Sequence, residues 1–175
     1  KQENNRISLG ISHIEETLKK LSYEISYVEE EPGNDYRELP GVKIYVGVRE
    51  ESAYISWLEE QALLIYHKEE PGREGFYLNR IAPDLLLVIG GDATGALYGC
   101  LELGTRMEAE GDVPEVLAFL DAPVYKLRGP VVGLQKTKLE PPRLTYEYPI
   151  TPDRFPWFYD KALWQEYLVR MLKDR

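Results

Sequence analysis

One short segment constrains the fold of this chain more than any other. Residues 84–89 read Asp-Leu-Leu-Leu-Val-Ile, and such an unbroken apolar run predicts a central strand that is buried on both faces of a sheet. Gly90, Gly91 and Asp92 follow as a turn, and the pattern then predicts a long helix over 93–109 with Asp92 as its N-cap. This strand, turn and helix indicate an α/β fold with helices packed on a β-sheet.

Apolar periodicity predicts further elements on both sides of this segment. Apolar residues at spacings of three and four predict a helix over 6–22, and Ser52 is a candidate N-cap for a second helix ending near residue 61. Alternating or short apolar runs predict strands over 23–28, 42–48, 63–66 and 75–80. Pro114 suits the first turn of a short helix over 114–120.

The composition changes after residue 123, where seven prolines lie between Pro123 and Pro156. We expect a domain boundary here, with an α/β domain over 1–124 and a different unit over 125–175. The second unit is predicted to contain a strand over 127–134, a long loop rich in proline and aromatic residues, and a helix from about Asp160. That helix has an apolar stripe, and we expect the stripe to pack against polypeptide beyond residue 175.

The charge balance excludes several classes of partner. The formal net charge is -9, which argues against nucleic acid and against an anionic membrane surface, since both require clustered Lys and Arg. The single cysteine, Cys100, lies in an apolar stretch and is expected to be a buried hydrophobic residue rather than a reactive thiol. No run of eighteen apolar residues is present.

Three kinds of catalytic or binding motif are incomplete or missing in this sequence. Gly90 and Gly95 have the glycine spacing of a phosphate-binding loop, but Ala96-Leu97 stands where Lys-Ser/Thr is required. An acidic Asp92 at the start of the helix would also repel phosphate. The two histidines, His13 and His67, lack the H-E-x-x-H spacing of a zinc site, and no G-x-S-x-G motif is present. The sequence therefore predicts no cofactor, no metal and no catalytic residue.

Two stretches resemble the accessory domain that precedes the barrel in β-N-acetylhexosaminidases and α-glucuronidases. The first is the apolar strand that leads through Gly90-Gly91-Asp92 into Gly95-Ala96-Leu97-Tyr98-Gly99 and a helix. The resemblance implies a zincin-like but metal-free α/β domain with a mixed sheet. It covers roughly residues 40–175.

The second stretch is Leu127-Arg128-Gly129, which is similar to the first barrel strand of the same enzymes. The resemblance implies that Arg128 binds sugar hydroxyls, as an arginine fork can, although pairing with a nearby Asp or Glu is an equal alternative. Residues 125–175 would then open a truncated (β/α)₈ barrel, whose loops after strands build the catalytic face. Arg143, Trp157 and Tyr159 lie in the loop region and are further candidate carbohydrate contacts.

Three hypotheses for function follow. The first is a non-catalytic domain of a secreted or periplasmic glycoside hydrolase that braces the enzyme's own catalytic barrel and reaches carbohydrate through the parent enzyme. A complete barrel needs about 250 residues, so the catalytic carboxylates would lie elsewhere. The second is a stand-alone carbohydrate-binding module that uses the late aromatic residues. The third is a nucleotide-binding α/β protein that uses residues 90–95.

Overall fold

The computed structural model describes residues 2–31, 33–66, 70–131, 151–153 and 155–174. The chain divides into two compact units, Lys1–Val124 and Tyr125–Arg175. The first unit is an α/β domain built on a mixed four-stranded sheet. This architecture confirms the predicted fold class of helices packed on a mixed sheet.

The first unit contains three α-helices and four strands within the described residues. The helices are α1 (Gln2–Lys20), α2 (Ala53–Glu60) and α3 (Ala93–Glu110). The strands are β1 (Lys43–Val48), β2 (Phe76–Ala82), β3 (Leu85–Gly90) and β4 (Ala118–Asp121). A short 3₁₀ helix spans Tyr36–Glu38. Each predicted element that appears here begins and ends within a few residues of its expected bounds.

The sheet has the order β1-β3-β2-β4. β1 pairs with β3 in parallel, whereas β2 pairs with both β3 and β4 in antiparallel fashion. β3 therefore lies inside the sheet, and all six of its residues are buried. The apolar run of residues 85–89 is a central strand as predicted, because only a strand covered on both faces can bury consecutive side chains.

The two faces of the sheet carry separate hydrophobic cores. On one face, α1 and α3 cover Leu86 and Val88 of β3. On the other face, α2 covers Leu87 and Ile89 through Ile55, which is fully buried. Each such buried aliphatic side chain contributes roughly 1.5–3 kcal/mol relative to an exposed one. The alternation of β3 side chains between two cores is what holds helices on both faces.

The helices α1 and α3 pack closely because small residues face each other. A Cβ at Gly10 would lie 2.8 Å from the Cys100 Cβ, and a Cβ at Gly104 would lie 2.7 Å from the His13 ring. Cys100 is fully buried, as predicted, and burial raises the pKa of its thiol to about 12. The thiol is therefore a packing group at this helix contact.

Several predicted elements are wrong. Residues 23–28 make no strand pairing, and residues 63–66 form no strand. The Leu63 amide instead donates to Leu58 O at 3.0 Å, a bond that closes the C-terminal end of α2. Residues 118–121 are a strand rather than part of a helix, since β4 pairs with β2. Sequence periodicity does not detect this pairing, because the partner strand is more than thirty residues away.

The second unit contains a 3₁₀ helix over Pro156–Tyr159 and the predicted last helix, α4 (Lys161–Asp174). Asp160 caps the start of α4, since its Oδ1 accepts from Ala162 N at 2.9 Å and from Leu163 N at 3.1 Å. Residues 127–131 form no strand, which corrects the start of the predicted strand over 127–134. The rest of that strand and most of the proline-rich loop lie outside the described residues.

Candidate functional site

The turn between β3 and α3 is a close contact between two backbone segments. A Cβ at Gly91 would lie 2.0 Å from Gly72 O, and a Cβ at Gly95 would lie 2.0 Å from Gly75 O. The Gly91 amide also donates to Gly75 O at 2.9 Å. The glycines of this turn are therefore explained by the neighbouring loop, which passes where side chains would otherwise project.

Asp92 occupies the position where a phosphate would bind. Its Oδ1 accepts from Gly95 N at 2.9 Å and caps α3, while its Oδ2 accepts from Glu74 N at 3.0 Å. A carboxylate already satisfies the partial positive charge at this helix start. A nucleotide phosphate here would have to displace Asp92, so the geometry offers no support to the nucleotide hypothesis.

The Gly-Ala-Leu-Tyr-Gly segment, residues 95–99, packs α3 onto the sheet. Ala96 is fully buried, and a Cβ at Gly99 would lie 2.7 Å from Val88 Cγ1 and 3.2 Å from Phe76 Cβ. The segment therefore brings the helix backbone close to β3 and β2. The buried residues of the segment therefore serve packing, and half-buried Tyr98 packs against the same core.

The second unit has a cluster of aromatic rings around the start of α4. Trp164 contacts Trp157 and Phe158 with ring centroids 6.0 Å and 5.8 Å apart, and its Nε1 donates to Phe158 O at 2.7 Å. Trp157 is 40% exposed and Tyr159 is 51% exposed. Partly exposed aromatic faces of this kind can stack on the apolar faces of sugars.

The predicted carbohydrate contacts are located only in part. Trp157 and Tyr159 lie in the 3₁₀ helix before α4. Arg128 is exposed, and its Nη1 donates to Tyr125 O at 2.8 Å. Arg143 lies outside the described residues. The role of all four residues in carbohydrate binding stays a prediction.

Sequence reasoning missed a groove in the first unit. A cavity of about 540 Å³ is lined by α1, by the segment 23–30 that follows it and by β1. Its walls are apolar at Leu18, Ile25 and Ile44 and acidic at Glu15 and Glu24. No local pattern signals such a groove, because its walls come from elements that are separate in the sequence.

Glu30 lines this groove, and its carboxylate accepts hydrogen bonds at the start of α2. Its carboxylate accepts from Tyr54 N at 2.8 Å, from the Tyr45 hydroxyl at 2.7 Å and from the Ser52 hydroxyl at 3.2 Å. Ser52 is the N-cap of α2 as predicted, since its Oγ accepts from Ile55 N at 3.0 Å. Burial, together with the nearby Glu30 carboxylate, raises the pKa of Tyr45.

Two negative observations apply to the described part of the chain. Within it, no group of three or more His, Cys, Asp or Glu residues is arranged to hold a metal ion. No helix within the same ranges combines the length and apolar character needed to cross a membrane.

Comparison with solved structures finds glycoside hydrolases. The chain matches a GH138 enzyme targeting pectin rhamnogalacturonan II, with 30% identity and a TM-score of 0.68, over 96% of this chain and 21% of that chain. It also matches a GH115 4-O-methyl-α-glucuronidase with specificity for decorated arabinogalactans, at 19% identity and a TM-score of 0.46, over 67% of this chain and 16% of that chain.

No protein-family model and no curated protein sequence matches the chain. The chain spans about a fifth of the length of the GH138 enzyme that it matches. Its fold is that of a region within a glycoside hydrolase, which agrees with a domain of a carbohydrate-active enzyme.

Proposed function

We propose that this chain is the non-catalytic, zincin-like accessory domain of a glycoside hydrolase, joined to the first part of its catalytic barrel. The observation that carries the proposal is the match to the GH138 enzyme, which extends over 96% of this chain at 30% identity. Residues 1–124 form the accessory domain, and residues 125–175 begin the barrel. In this proposal the parent enzyme is secreted or periplasmic, because polymeric glycans are accessible outside the cytoplasm.

The reaction itself belongs to the remainder of the parent enzyme. Glycoside hydrolysis generally needs a carboxylic acid and a carboxylate on opposite sides of the scissile bond. In the first unit, two carboxylates accept hydrogen bonds from backbone amides at helix starts. Asp92 accepts from Gly95 N and caps α3, and Glu30 accepts from Tyr54 N at the start of α2. The domain therefore acts by bracing the barrel through which the enzyme contacts its substrate.

The substrate class that we propose is a pectic glycan that contains acidic sugars. The chain carries a net charge of -9, so an acidic glycan needs local positive charge in order to bind. Arg128 and Arg143 supply it, because a guanidinium donates two parallel hydrogen bonds to a carboxylate. Trp157 and Tyr159 supply aromatic faces for the sugar rings.

The proposal is tested by deletion in the parent enzyme. The full reading frame that contains this chain is expressed with and without residues 1–124 and assayed for release of reducing sugar from rhamnogalacturonan II fragments. We expect the deletion to lower soluble yield and hydrolysis together, because the barrel loses its bracing domain. An unchanged yield and an unchanged rate would refute the bracing role.

A carbohydrate-binding module is the second candidate, favoured by the exposure of Trp157 and Tyr159. Calorimetry of the isolated chain against pectic oligosaccharides separates the two functions. Micromolar binding that is lost in Trp157→Ala, with Ile65→Ala in the first unit as the control, would support the module. No binding at millimolar oligosaccharide favours the accessory role.

A further inference from the structure

A second cavity in the first unit lies at the C-terminal end of α2. Its volume is about 290 Å³, and its wall includes Arg49, Glu59 and Tyr66. Arg49 follows β1, Glu59 belongs to the last turn of α2, and Tyr66 lies in the segment after α2. A cavity of this size is at the lower end of the range of small-molecule sites, about 300–1,000 Å³, so it suits a ligand of one ring.

Arg49 and Glu59 form an ion pair in the wall of this cavity. The Arg49 Nε donates to Glu59 Oε1 at 3.0 Å, and its Nη1 donates to Glu70 O at 2.6 Å. The guanidinium also lies over the Tyr66 ring, with 4.4 Å between Cζ and the ring centroid. The side chain of Arg49 is 19% exposed and that of Glu59 is 33% exposed, so neither is sealed from the cavity that both line. Their charges compensate each other.

Tyr66 orients the Glu59 carboxylate. Its hydroxyl donates to Glu59 Oε1, and burial together with this hydrogen bond raises the pKa of Tyr66. Tyr66 therefore keeps its proton and remains a donor at neutral pH. The bonds from Arg49 and from Tyr66 both use Oε1. The other oxygen of the carboxylate, Oε2, accepts no hydrogen bond from a described residue, so it remains for a ligand.

The wall opposite this carboxylate is apolar and includes Ala62 and Leu64. Ala62 has a φ of +53°, a left-handed conformation in which glycine is usual just after a helix. A methyl group is thus present at a position where the backbone alone favours glycine, and it lines the cavity. A ligand that fits this wall needs hydroxyl groups for one carboxylate oxygen and an apolar face for the methyl group.

We propose that this cavity binds a single neutral sugar residue of a glycan. Adjacent hydroxyl groups of the sugar donate to Glu59 Oε2, and a C–H face of its ring lies against Ala62 and Leu64. A neutral sugar fits because Arg49 already compensates Glu59, and a ligand carboxylate or ammonium group would add an unpaired charge. Arg49 and Tyr66 are positioning residues that hold the carboxylate. The site belongs to the first unit and is separate from the aromatic rings at the start of α4.

Residue-resolved NMR on the full 175-residue chain tests the site, with methyl rhamnoside as the neutral probe. We expect saturable shifts of the Ala62 and Leu64 amides with a Kd of about 10 mM, as for other ligands of this size with few contacts. Methyl galacturonide carries a carboxylate and should bind more weakly than the rhamnoside. Cyclohexanol has a similar ring but a single hydroxyl group, and its shifts should not saturate in the same range.

Glu59→Gln removes the charge that compensates Arg49. The rhamnoside should then bind at least about fivefold more weakly, because a neutral acceptor makes weaker hydrogen bonds than a carboxylate. The galacturonide should bind more tightly than before, because the Arg49 charge is left for its carboxylate. Glu60→Gln is the matched control, since it removes the same charge from the neighbouring exposed residue of α2, and it should change neither affinity.

Tyr66→Phe tests the positioning role with little change in packing, because it keeps the ring beside Arg49 and removes the hydroxyl that orients Glu59. It should weaken rhamnoside binding by a smaller factor than Glu59→Gln. Melting temperatures of all the variants separate a loss of binding from a loss of folding. Tyr66→Phe carries the test alone if Glu59→Gln does not fold, and an unchanged affinity in a folded Tyr66→Phe variant would contradict the site.

Other results would also overturn the proposal. One is the absence of saturable shifts at residues 62 and 64 up to about 100 mM rhamnoside, about ten times the expected Kd. Others are equal effects of Glu59→Gln and Glu60→Gln, and shifts confined to the aromatic rings at the start of α4. The deletion test of the accessory role in the parent enzyme is independent of all these outcomes.

Discussion

Gly95 at the start of α3 lies so close to the backbone of Gly75 that a Cβ at residue 95 would be 2.0 Å from Gly75 O. Neither backbone segment can move away easily, since the Gly91 amide also donates to Gly75 O. Gly95→Ala should therefore lower the free energy of unfolding by more than about 2 kcal/mol. Urea unfolding followed by circular dichroism measures the change.

The control for Gly95→Ala is Gly41→Ala. A Cβ at residue 41 would meet nothing within 4 Å, but the residue has a φ of +80°. Alanine there should cost only about 1–2 kcal/mol, because the strain is confined to one residue. Equal losses in the two variants would show that the close contact at Gly95 is not the dominant effect.

The Asp92 carboxylate accepts hydrogen bonds from two backbone amides, those of Gly95 and Glu74. Asp92→Ala should destabilise the first unit by about 2 kcal/mol, because it removes an N-cap and leaves a second amide without its acceptor. Asp92→Asn should recover part of the loss, since the amide oxygen still accepts one hydrogen bond. Thermal melting of the three proteins checks the order, and an alanine variant as stable as the asparagine variant would contradict it.

The ion pair between Lys43 and Asp84 should make stability depend on acid pH. The hydrogen bond from Lys43 lowers the pKa of Asp84 below its ordinary value of 3.8. A carboxyl whose pKa is lower in the folded state stabilises the fold above its unfolded pKa, and this contribution is lost as the pH falls through the lower folded value. Asp84→Asn should therefore be less stable than the unsubstituted chain at pH 7, with a gap that closes below pH 3.8.

Melting temperatures between about pH 2 and pH 7 measure this gap. Glu115→Gln removes a carboxylate from another exposed position and is the matched control for charge. A gap between Asp84→Asn and the unsubstituted chain that stays constant down to the lowest pH would contradict a contribution from the ionised pair.

The Cys100 thiol should be unreactive in the folded protein. Cys100 is fully buried, and burial raises the pKa of its thiol to about 12, so very little thiolate is present at pH 8. We expect a thiol reagent such as DTNB to label Cys100 at the rate of unfolding and to label it at once in guanidinium chloride. Rapid labelling of the native chain would show that α1 and α3 separate readily.

The elements that the sequence predicted well are those with strong local signals. The burial of β3 follows from its consecutive apolar residues, and the start of α3 follows from the capping preference of Asp92. The apolar stripe that predicts α4 is equally local. For the candidate carbohydrate site, the sequence identified Trp157 and Tyr159 as aromatic residues near a helix start, and the structure shows how far each is exposed.

The local order of apolar, glycine and capping residues determined the α/β class, the central strand and the positions of the long helices. Each of these patterns is contained within one short stretch of neighbouring residues. The tertiary structure decided the rest through contacts between distant residues. It made 118–121 a strand by pairing it with β2, left residues 23–28 apart from β1, and required Gly91 and Gly95 to be glycine because the loop at Gly72 and Gly75 passes beside them. Backbone hydrogen bonds and steric exclusion between distant segments have no signature within either segment.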